Sequence, residues 1–63
     1  MNKWDKKPKH NSLIMAYYRG KRMMYWINIE GQICDASLGV LPLEKAHMRA
    51  IIHKGYWEYA NIG

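Results

Sequence analysis

Apolar and aromatic residues fill two neighbouring stretches of the chain, which predicts two β-strands. The stretches are LIMAYY (13–18) and MMYWINI (23–29), and the connection RGKR lies between them. Two such runs joined by a short glycine-containing loop are typical of a β-hairpin. Gly20 lies in that loop and tolerates the positive φ that a tight turn needs.

Alternation along the second strand separates two faces of the predicted sheet. The face that ends in two isoleucines is the better core candidate, and it carries Met23, Tyr25, Ile27 and Ile29. The opposite face is expected to lie under a second layer or to be partly exposed, and it carries Met24, Trp26 and Asn28.

The pattern beyond the hairpin predicts a third strand, a helix and a final strand. Glu30-Gly31 signals a turn, so QICDAS (32–37) is expected to return as the third strand. Helical periodicity follows in LEKAHMRAIIHK (43–54), with Pro42 expected at the first helical position and Gly55 as a left-handed cap. The ring-rich segment GYWEYANIG (55–63) favours a strand that pairs with an edge of the sheet or packs across it.

The order of elements is therefore β-β-β-α-β, which predicts an α+β fold with a three- to four-stranded antiparallel sheet packed on one helix. This single domain is expected over residues 12–63. Residues 1–11 carry lysines around Pro8 and have Trp4 as their one apolar anchor. A segment with so little to bury predicts a flexible basic arm.

Length and cysteine content limit the class of protein. A chain of 63 residues forms one domain at most and buries only about 60% of its unfolded surface. Cys34 is the one cysteine, so no intramolecular disulfide forms and a reducing cytoplasm is the simplest location. No apolar run approaches the roughly 20 residues of a membrane span, which predicts a soluble protein with no membrane segment.

Positive charge is in excess, with ten Lys and Arg against five Asp and Glu and a net charge of +5. Such a charge attracts nucleic acid, anionic membrane or acidic protein, although it also serves solubility alone. The cations concentrate at the hairpin tip, on the predicted helix at a spacing of four residues, and in the arm. Cations bind phosphates, and aromatic rings stack on bases. The candidate nucleic-acid-binding residues are therefore these cations and two aromatic residues, namely Tyr18, Arg19, Lys21, Arg22, Trp26, Lys45, Arg49, Lys6, Lys7 and Lys9. The alternative is that the lysines of the arm and the helix cations Lys45 and Arg49 are only solvated surface.

Catalytic and metal-binding patterns are missing from the sequence. Structural zinc needs closely spaced pairs of ligands, whereas His10 lies in the arm and His47 and His53 fall on different helix faces. Acidic residues are few and scattered, and RGKR is too short to wrap a phosphate chain. Cys34 is interpreted as a small buried hydrophobe. We therefore expect a non-enzymatic protein with no cofactor and no metal.

The segments YRGKR (18–22), YWINIEG (25–31) and SLGVLPLEKAHMRAI (37–51) together resemble the AP2 and phage-integrase arm-binding type of DNA-binding domain. That family has a Tyr-Arg-Gly opening, an aromatic second strand and a Leu-Gly turn before an alanine-rich helix. The resemblance covers about half of the chain. It implies a sheet that lies in the major groove, with Arg19, Lys21, Arg22 and Trp26 at the interface.

Two functions follow from these observations. The first is a nucleic-acid-binding module, with DNA a better candidate than RNA. The second is a small phage-type effector or inhibitor that binds a host protein or nucleoprotein complex, because Tyr, Trp, Met and Arg are enriched at protein interfaces. Homodimerisation is a related option, since it would bury further aromatic surface.

Overall fold

A computed structural model describes residues 1–35 and 41–60 and has an α+β fold, as predicted. Over these residues the elements are β1 (Asn2–Lys3), β2 (Ser12–Tyr18), β3 (Lys21–Ile27), β4 (Ile33–Asp35), α1 (Lys45–Lys54) and β5 (Tyr56–Tyr59). The strands form one antiparallel five-stranded sheet in the order β1-β5-β2-β3-β4. The expected sheet was smaller, because β1 has no strand signal in the sequence. The predicted continuation of β4 to residue 37 lies outside the described residues. The last strand ends at Tyr59 rather than including Ala60, and its predicted continuation over residues 61–63 lies outside the described residues.

The β2–β3 hairpin is the centre of the sheet and is confirmed. Its register places Tyr18 opposite Lys21, Ala16 opposite Met23 and Ser12 opposite Ile27. Both predicted strands are present, although β3 begins two residues earlier than expected and ends at Ile27. The last strand, β5, pairs with the free side of β2, which confirms its expected edge pairing.

Asn28 ends β3 and explains why one core prediction is wrong. Its Oδ1 accepts hydrogen bonds from the backbone N–H of Glu30 at 3.0 Å and of Gln32 at 2.8 Å. This side chain therefore closes the turn that the Glu30-Gly31 pair predicted. Ile29 lies in the turn, beyond the strand, and is 75% exposed instead of joining the core.

Pro42 does not begin the helix. It forms an isolated antiparallel bridge with Cys34, and the backbone N–H of Leu43 donates to the Ile33 carbonyl at 2.8 Å. The chain thus runs along the edge of β4 before α1 begins at Lys45. The expected helix start at residues 42–43 is wrong because these residues complete hydrogen bonds of the sheet edge instead.

Gly55 ends the helix without the left-handed conformation that we expected. Its φ of −107° and ψ of −179° are extended, and its N–H donates to the Ile51 carbonyl at 2.8 Å. The chain passes directly from α1 into β5, which leaves no room for a left-handed cap. A Cβ at this position would lie 2.5 Å from the Ile51 oxygen and 2.8 Å from the Tyr17 oxygen.

The core lies between α1 and one face of the sheet. Its buried side chains come from every strand except β1 and from the helix, and they include Ile14, Ala16, Tyr25, Ile27, Ile33, Ile51 and Trp57. This confirms the predicted inner face of β3 for Tyr25 and Ile27, whereas Met23, near the tip on the same face, is 42% exposed and does not join the core. Among the apolar residues of α1, Ile51 is buried, whereas Ala46 and Ile52 are exposed.

The N-terminal segment 1–11 lies against the sheet. Asn2 and Lys3 pair with β5, and Trp4 is buried in the core at 8% exposure. The backbone carbonyl of Lys6 accepts a 2.7 Å hydrogen bond from Trp57 Nε1. A domain boundary at residue 11 stays a prediction. The flexible arm was expected because the segment has little to bury, whereas Trp4 is buried in the core and β1 pairs with β5.

Candidate nucleic-acid interface

The hairpin tip is a two-residue turn in which both central residues have a positive φ. Arg19 has a φ of 53° and Gly20 a φ of 72°. This pair of conformations is typical of the type I′ turn, whose twist matches that of the flanking strands. Arg19 is therefore held at the end of a short, regular ribbon rather than in a long loop.

Alternation along β3 sends the two cations after the turn to opposite faces of the sheet. Lys21 lies opposite Tyr18 on the inner face, which is the face that α1 covers. Arg22 lies opposite Tyr17 on the outer face. Arg19, Lys21 and Arg22 are all exposed, as the candidate interface requires. The tip thus presents positive charge on both sides of the ribbon.

Arg19 and Tyr18 form a cation–π pair at the tip. The guanidinium carbon of Arg19 lies 5.5 Å from the centre of the Tyr18 ring. Tyr18 itself is half-buried and packs against the core. The ring is consequently fixed in position beside the charge, so an aromatic surface and a cation lie next to each other at the tip.

The end of α1 adds a fourth cation that the sequence did not indicate. Lys54 and Tyr56 line a surface depression of about 390 Å³ together with the tip residues, among them Arg19, Lys21 and Arg22. Lys54 reaches the tip because Gly55 brings the helix end against β2. No local sequence signal predicts this, since it depends on β5 pairing with β2.

The hydroxyl of Tyr17 is already engaged by an acid on the outer face. It donates a 2.9 Å hydrogen bond to Glu58 Oε1. This bond, followed by burial and the charge of Glu58, raises the pKa of Tyr17, whereas the nearby Arg22 lowers it. Since the hydroxyl is occupied, the ring is the part of Tyr17 that remains for an added ligand.

Trp26 is separate from the tip. It lies four residues beyond Arg22 on the same face of β3, which corresponds to about 13 Å along the strand. Its Nε1 donates to Asn11 Oδ1 at 3.3 Å, and its strand neighbour on β2 is Leu13. The structure therefore does not bring Trp26 together with Arg19, Lys21 and Tyr18.

The three candidate lysines of the N-terminal segment have exposed side chains, and the backbones of Lys6 and Lys9 are hydrogen-bonded. Besides the Lys6 carbonyl, the Lys9 carbonyl accepts from Ser12 Oγ at 2.6 Å, and the Lys9 N–H donates to the Tyr59 hydroxyl at 3.0 Å. Lys7 lies beside Pro8 and His10. The backbone of Lys6 and Lys9 is therefore hydrogen-bonded to other parts of the fold.

The helix cations Lys45 and Arg49 are exposed, but they do not line the depression at the tip. Arg49 borders a groove with Trp4, Asp5 and His53 instead. The helix cations are therefore separate from the depression at the tip. His47, on another side of α1, lines a recess together with Tyr18, Arg19 and Lys21, and no local pattern in the sequence indicates this.

Cys34 and the histidines form neither a reactive thiol nor a metal site in the described part of the chain. Cys34 is fully buried, and burial raises the pKa of its thiol, partly offset by a hydrogen bond from Asn28. A reactive thiol needs exposure and a lowered pKa. In residues 1–35 and 41–60, no three His, Cys, Asp or Glu side chains lie close enough to hold a metal ion. Nor does any helix in these ranges have the length and apolar character needed to cross a bilayer.

Comparison with known proteins gives no relative from which to infer a function. No protein-family model, curated protein or solved structure matches this chain.

Proposed function

We propose that this protein is a small, basic, non-enzymatic module that binds nucleic acid through its hairpin tip. The observation that carries the proposal is the group of four cations around one depression, Arg19, Lys21, Arg22 and Lys54. Tyr18 and Tyr56 lie among them. Cations bind phosphates and rings stack on bases, so this combination fits nucleic acid better than it fits a simple anion.

DNA is the preferred ligand in this proposal. A two-stranded ribbon fits the major groove of B-DNA, whereas the major groove of A-form RNA is too deep and narrow for side chains to read. The resemblance to the AP2 and phage-integrase type supports the same choice. The single cysteine supports a cytoplasmic location, where a thiol needs no disulfide partner.

Removing the tip cations is expected to reduce the salt dependence of DNA binding. The variant combines Arg19→Asn, Lys21→Ala and Arg22→Ala, with asparagine at position 19 because it tolerates a positive φ. Each phosphate contact contributes about −0.9 to the log–log salt slope for duplex DNA and about −0.7 for a single strand. We expect the slope to become shallower by about two to three units, measured by fluorescence anisotropy with both forms of a labelled oligonucleotide.

A matched control removes the same number of charges elsewhere. Lys6, Lys7 and Lys9 are exposed, and Lys6 and Lys9 form hydrogen bonds with the rest of the described fold through their backbone atoms. Their triple alanine variant is expected to change the slope by less than about one unit. Equal effects of the two triple variants would indicate attraction by net charge alone, and an unchanged slope in the tip variant would contradict the proposal.

A second candidate function rests on the outer face of the sheet. Leu13, Met15 and Trp26 are only half-buried there, and Met24 is 39% exposed. Aromatic residues and methionine are enriched at protein interfaces. This face therefore favours the alternative, an effector or inhibitor that binds a host protein, and it would also be the face that a homodimer buries.

The second candidate predicts a protein partner that survives nuclease treatment. Affinity capture from host lysate is expected to retain one stoichiometric partner after digestion, and Met24→Glu is expected to abolish that capture. Ile52→Glu is the matched control, because Ile52 is 45% exposed on the helix. Loss of every partner on digestion, or equal loss in both variants, would count against this function.

A further inference from the structure

A recess lies on the inner face of the hairpin, between the tip and the helix. Its volume is about 270 Å³, and its walls come from β2, the turn, β3 and α1. The strand residues that line it alternate along the hairpin, with Ala16 opposite Met23 and Tyr18 opposite Lys21. The recess is therefore a product of the hairpin register and of the position of α1.

Three basic side chains line this recess. Arg19 comes from the turn, Lys21 from the start of β3 and His47 from the exposed surface of α1. They approach from different elements, so an anion in the recess would be contacted from more than one direction. Charge complementarity thus specifies a ligand that carries at least one negative group.

The remaining walls are apolar and aromatic. These walls come from the Tyr18 ring, the buried Tyr25 and the Met23 side chain. Rings and a thioether make a surface suited to a flat aromatic group. A ligand that satisfies both parts of the recess has an aromatic ring joined to an anionic group, and a nucleotide has this composition.

The size of the recess and the cost of unstacking a paired base together favour an unpaired nucleotide. Pockets for drug-sized ligands begin at about 300 Å³, so a recess of 270 Å³ has room for a single ring system and little more. A base inside a duplex is stacked on both sides and must leave the stack before a pocket can receive it. Only a base that is already unpaired enters without that cost.

We propose that the recess between the hairpin tip and α1 binds one unpaired nucleotide of a DNA strand. This inference rests on the proposed function of nucleic-acid binding through the tip, and it replaces the duplex major groove with a single DNA strand as the preferred ligand. The base lies against Tyr18 and Met23, and the phosphate is contacted by Arg19, Lys21 and His47. Arg22, on the other face, contacts the adjoining backbone.

The first test compares single-stranded and duplex DNA. A fluorescein-labelled oligonucleotide of about 12 nucleotides and mixed sequence is titrated alone and fully paired, at one fixed salt concentration. We expect the single strand to bind about tenfold more tightly, in the range that stacking of one base contributes. Unspecific attraction to phosphate would favour the duplex instead, because the duplex carries the higher charge density.

Two histidine variants locate the site. His47→Glu and His53→Glu change the net charge equally, and both residues are exposed on α1, but only His47 lines the recess. We expect His47→Glu to weaken single-strand binding about tenfold and His53→Glu to weaken it no more than about twofold. Duplex binding should respond equally to the two variants.

A pair of aromatic variants tests the ring contact. Tyr18→Leu is expected to lower single-strand affinity about tenfold, whereas Trp26→Leu, on the outer face, is expected to leave it nearly unchanged. Circular dichroism confirms that each variant is folded. The reverse result would place the bases on the outer face and overturn the inference about the recess while leaving nucleic-acid binding intact.

The remaining outcomes separate the two proposals. Equal or tighter binding of the duplex, with equal effects of the histidine variants, overturns the inference but not the proposed function. Failure of both DNA forms to bind overturns the proposed function and the inference with it. A phosphotyrosine peptide, which also joins a ring to a phosphate, is the third probe. If it binds more tightly than the single strand, the recess belongs to a protein ligand and the inference is wrong.

Discussion

Replacing Gly55 with alanine is expected to lower the free energy of unfolding by about 3 kcal/mol, as severe overpacking does. The φ of Gly55 is −107°, which any residue adopts, so the effect does not come from backbone conformation. It comes from contact, because the new Cβ would lie 2.5 Å from the Ile51 oxygen and 2.8 Å from the Tyr17 oxygen. Both atoms belong to the backbone, so no rotation of a side chain relieves the overlap.

The consequence of this overlap is large because Gly55 joins two parts of the fold. The Ile51 carbonyl accepts the last helical hydrogen bond, and Tyr17 belongs to the β2–β5 ladder. Relief therefore requires the end of α1 to move away from β2. A domain of about 60 residues has roughly 3 to 9 kcal/mol of stability in total, so this loss is a large share of it.

Gly20→Ala is the control for the Gly55 substitution. Gly20 has a φ of 72°, and nothing lies within 4 Å of a Cβ built there, so its cost is conformational alone. We expect a loss of about 1 kcal/mol. Urea unfolding followed by tryptophan fluorescence measures both values. If Gly55→Ala lowers the free energy of unfolding no more than Gly20→Ala does, the contact between the end of α1 and β2 at Gly55 is not as close as the structure indicates.

The parts of the fold that the sequence predicted are those set by neighbouring residues. The alternation in residues 13–18 and 23–29 predicted the hairpin, and Gly20 has the expected positive φ. The burial of Tyr25 and Ile27 followed from the same alternation. Ile29 was assigned to the core because the hydrogen bonds of the Asn28 side chain, which end the strand, are invisible in an apolar pattern.

The parts that the sequence did not predict depend on contacts between distant residues. Trp4 is buried because β1 pairs with β5, more than 50 residues later in the chain. Gly55 has the sequence position of a helix cap, but the lack of a side chain there lets the end of α1 lie close to Tyr17. This close approach depends on the pairing of β5 with β2. Local patterns contain no information about this strand order.

The candidate interface shows the same division. The exposure of Arg19, Lys21 and Arg22 was predicted from a polar turn between apolar strands. The alternation that separates Tyr25 from Trp26 also separates Lys21 from Arg22, so their placement on opposite faces was accessible from sequence. The approach of Lys54 and His47 was not, because both reach the tip only through the packing of α1 on the sheet.

Trp57→Phe is expected to destabilise the protein by about 2 to 3 kcal/mol, and Trp4→Phe by about 1 kcal/mol or less. The same atoms are removed in both variants, and both rings are buried. Trp57 Nε1, however, donates a 2.7 Å hydrogen bond to the Lys6 carbonyl. Its loss costs about 1 kcal/mol and leaves that carbonyl without this donor, in addition to the cost of the cavity.

Trp4 responds differently because its indole N–H is unsatisfied. Within the described residues, Trp4 Nε1 is buried and has no hydrogen-bond partner. A buried donor without a partner costs about 1 to 3 kcal/mol, so phenylalanine removes an unfavourable term that partly offsets the lost volume. Equal losses in the two variants, measured by urea unfolding, would show that cavity size alone decides both.

The two rings are also in contact, with their centres 6.1 Å apart, so their effects need not be additive. The double variant therefore belongs in the same experiment. Hydrogen exchange separates the contributions further, because the Trp57 indole holds the Lys6 carbonyl close to β1, whereas the other hydrogen bond from this segment to a β5 side chain, between the Lys9 N–H and the Tyr59 hydroxyl, is present in both variants. We expect Trp57→Phe to accelerate exchange in β1 more than Trp4→Phe does. The opposite order would mean that burial of the Trp4 ring, rather than this hydrogen bond, holds residues 1–11 on the sheet.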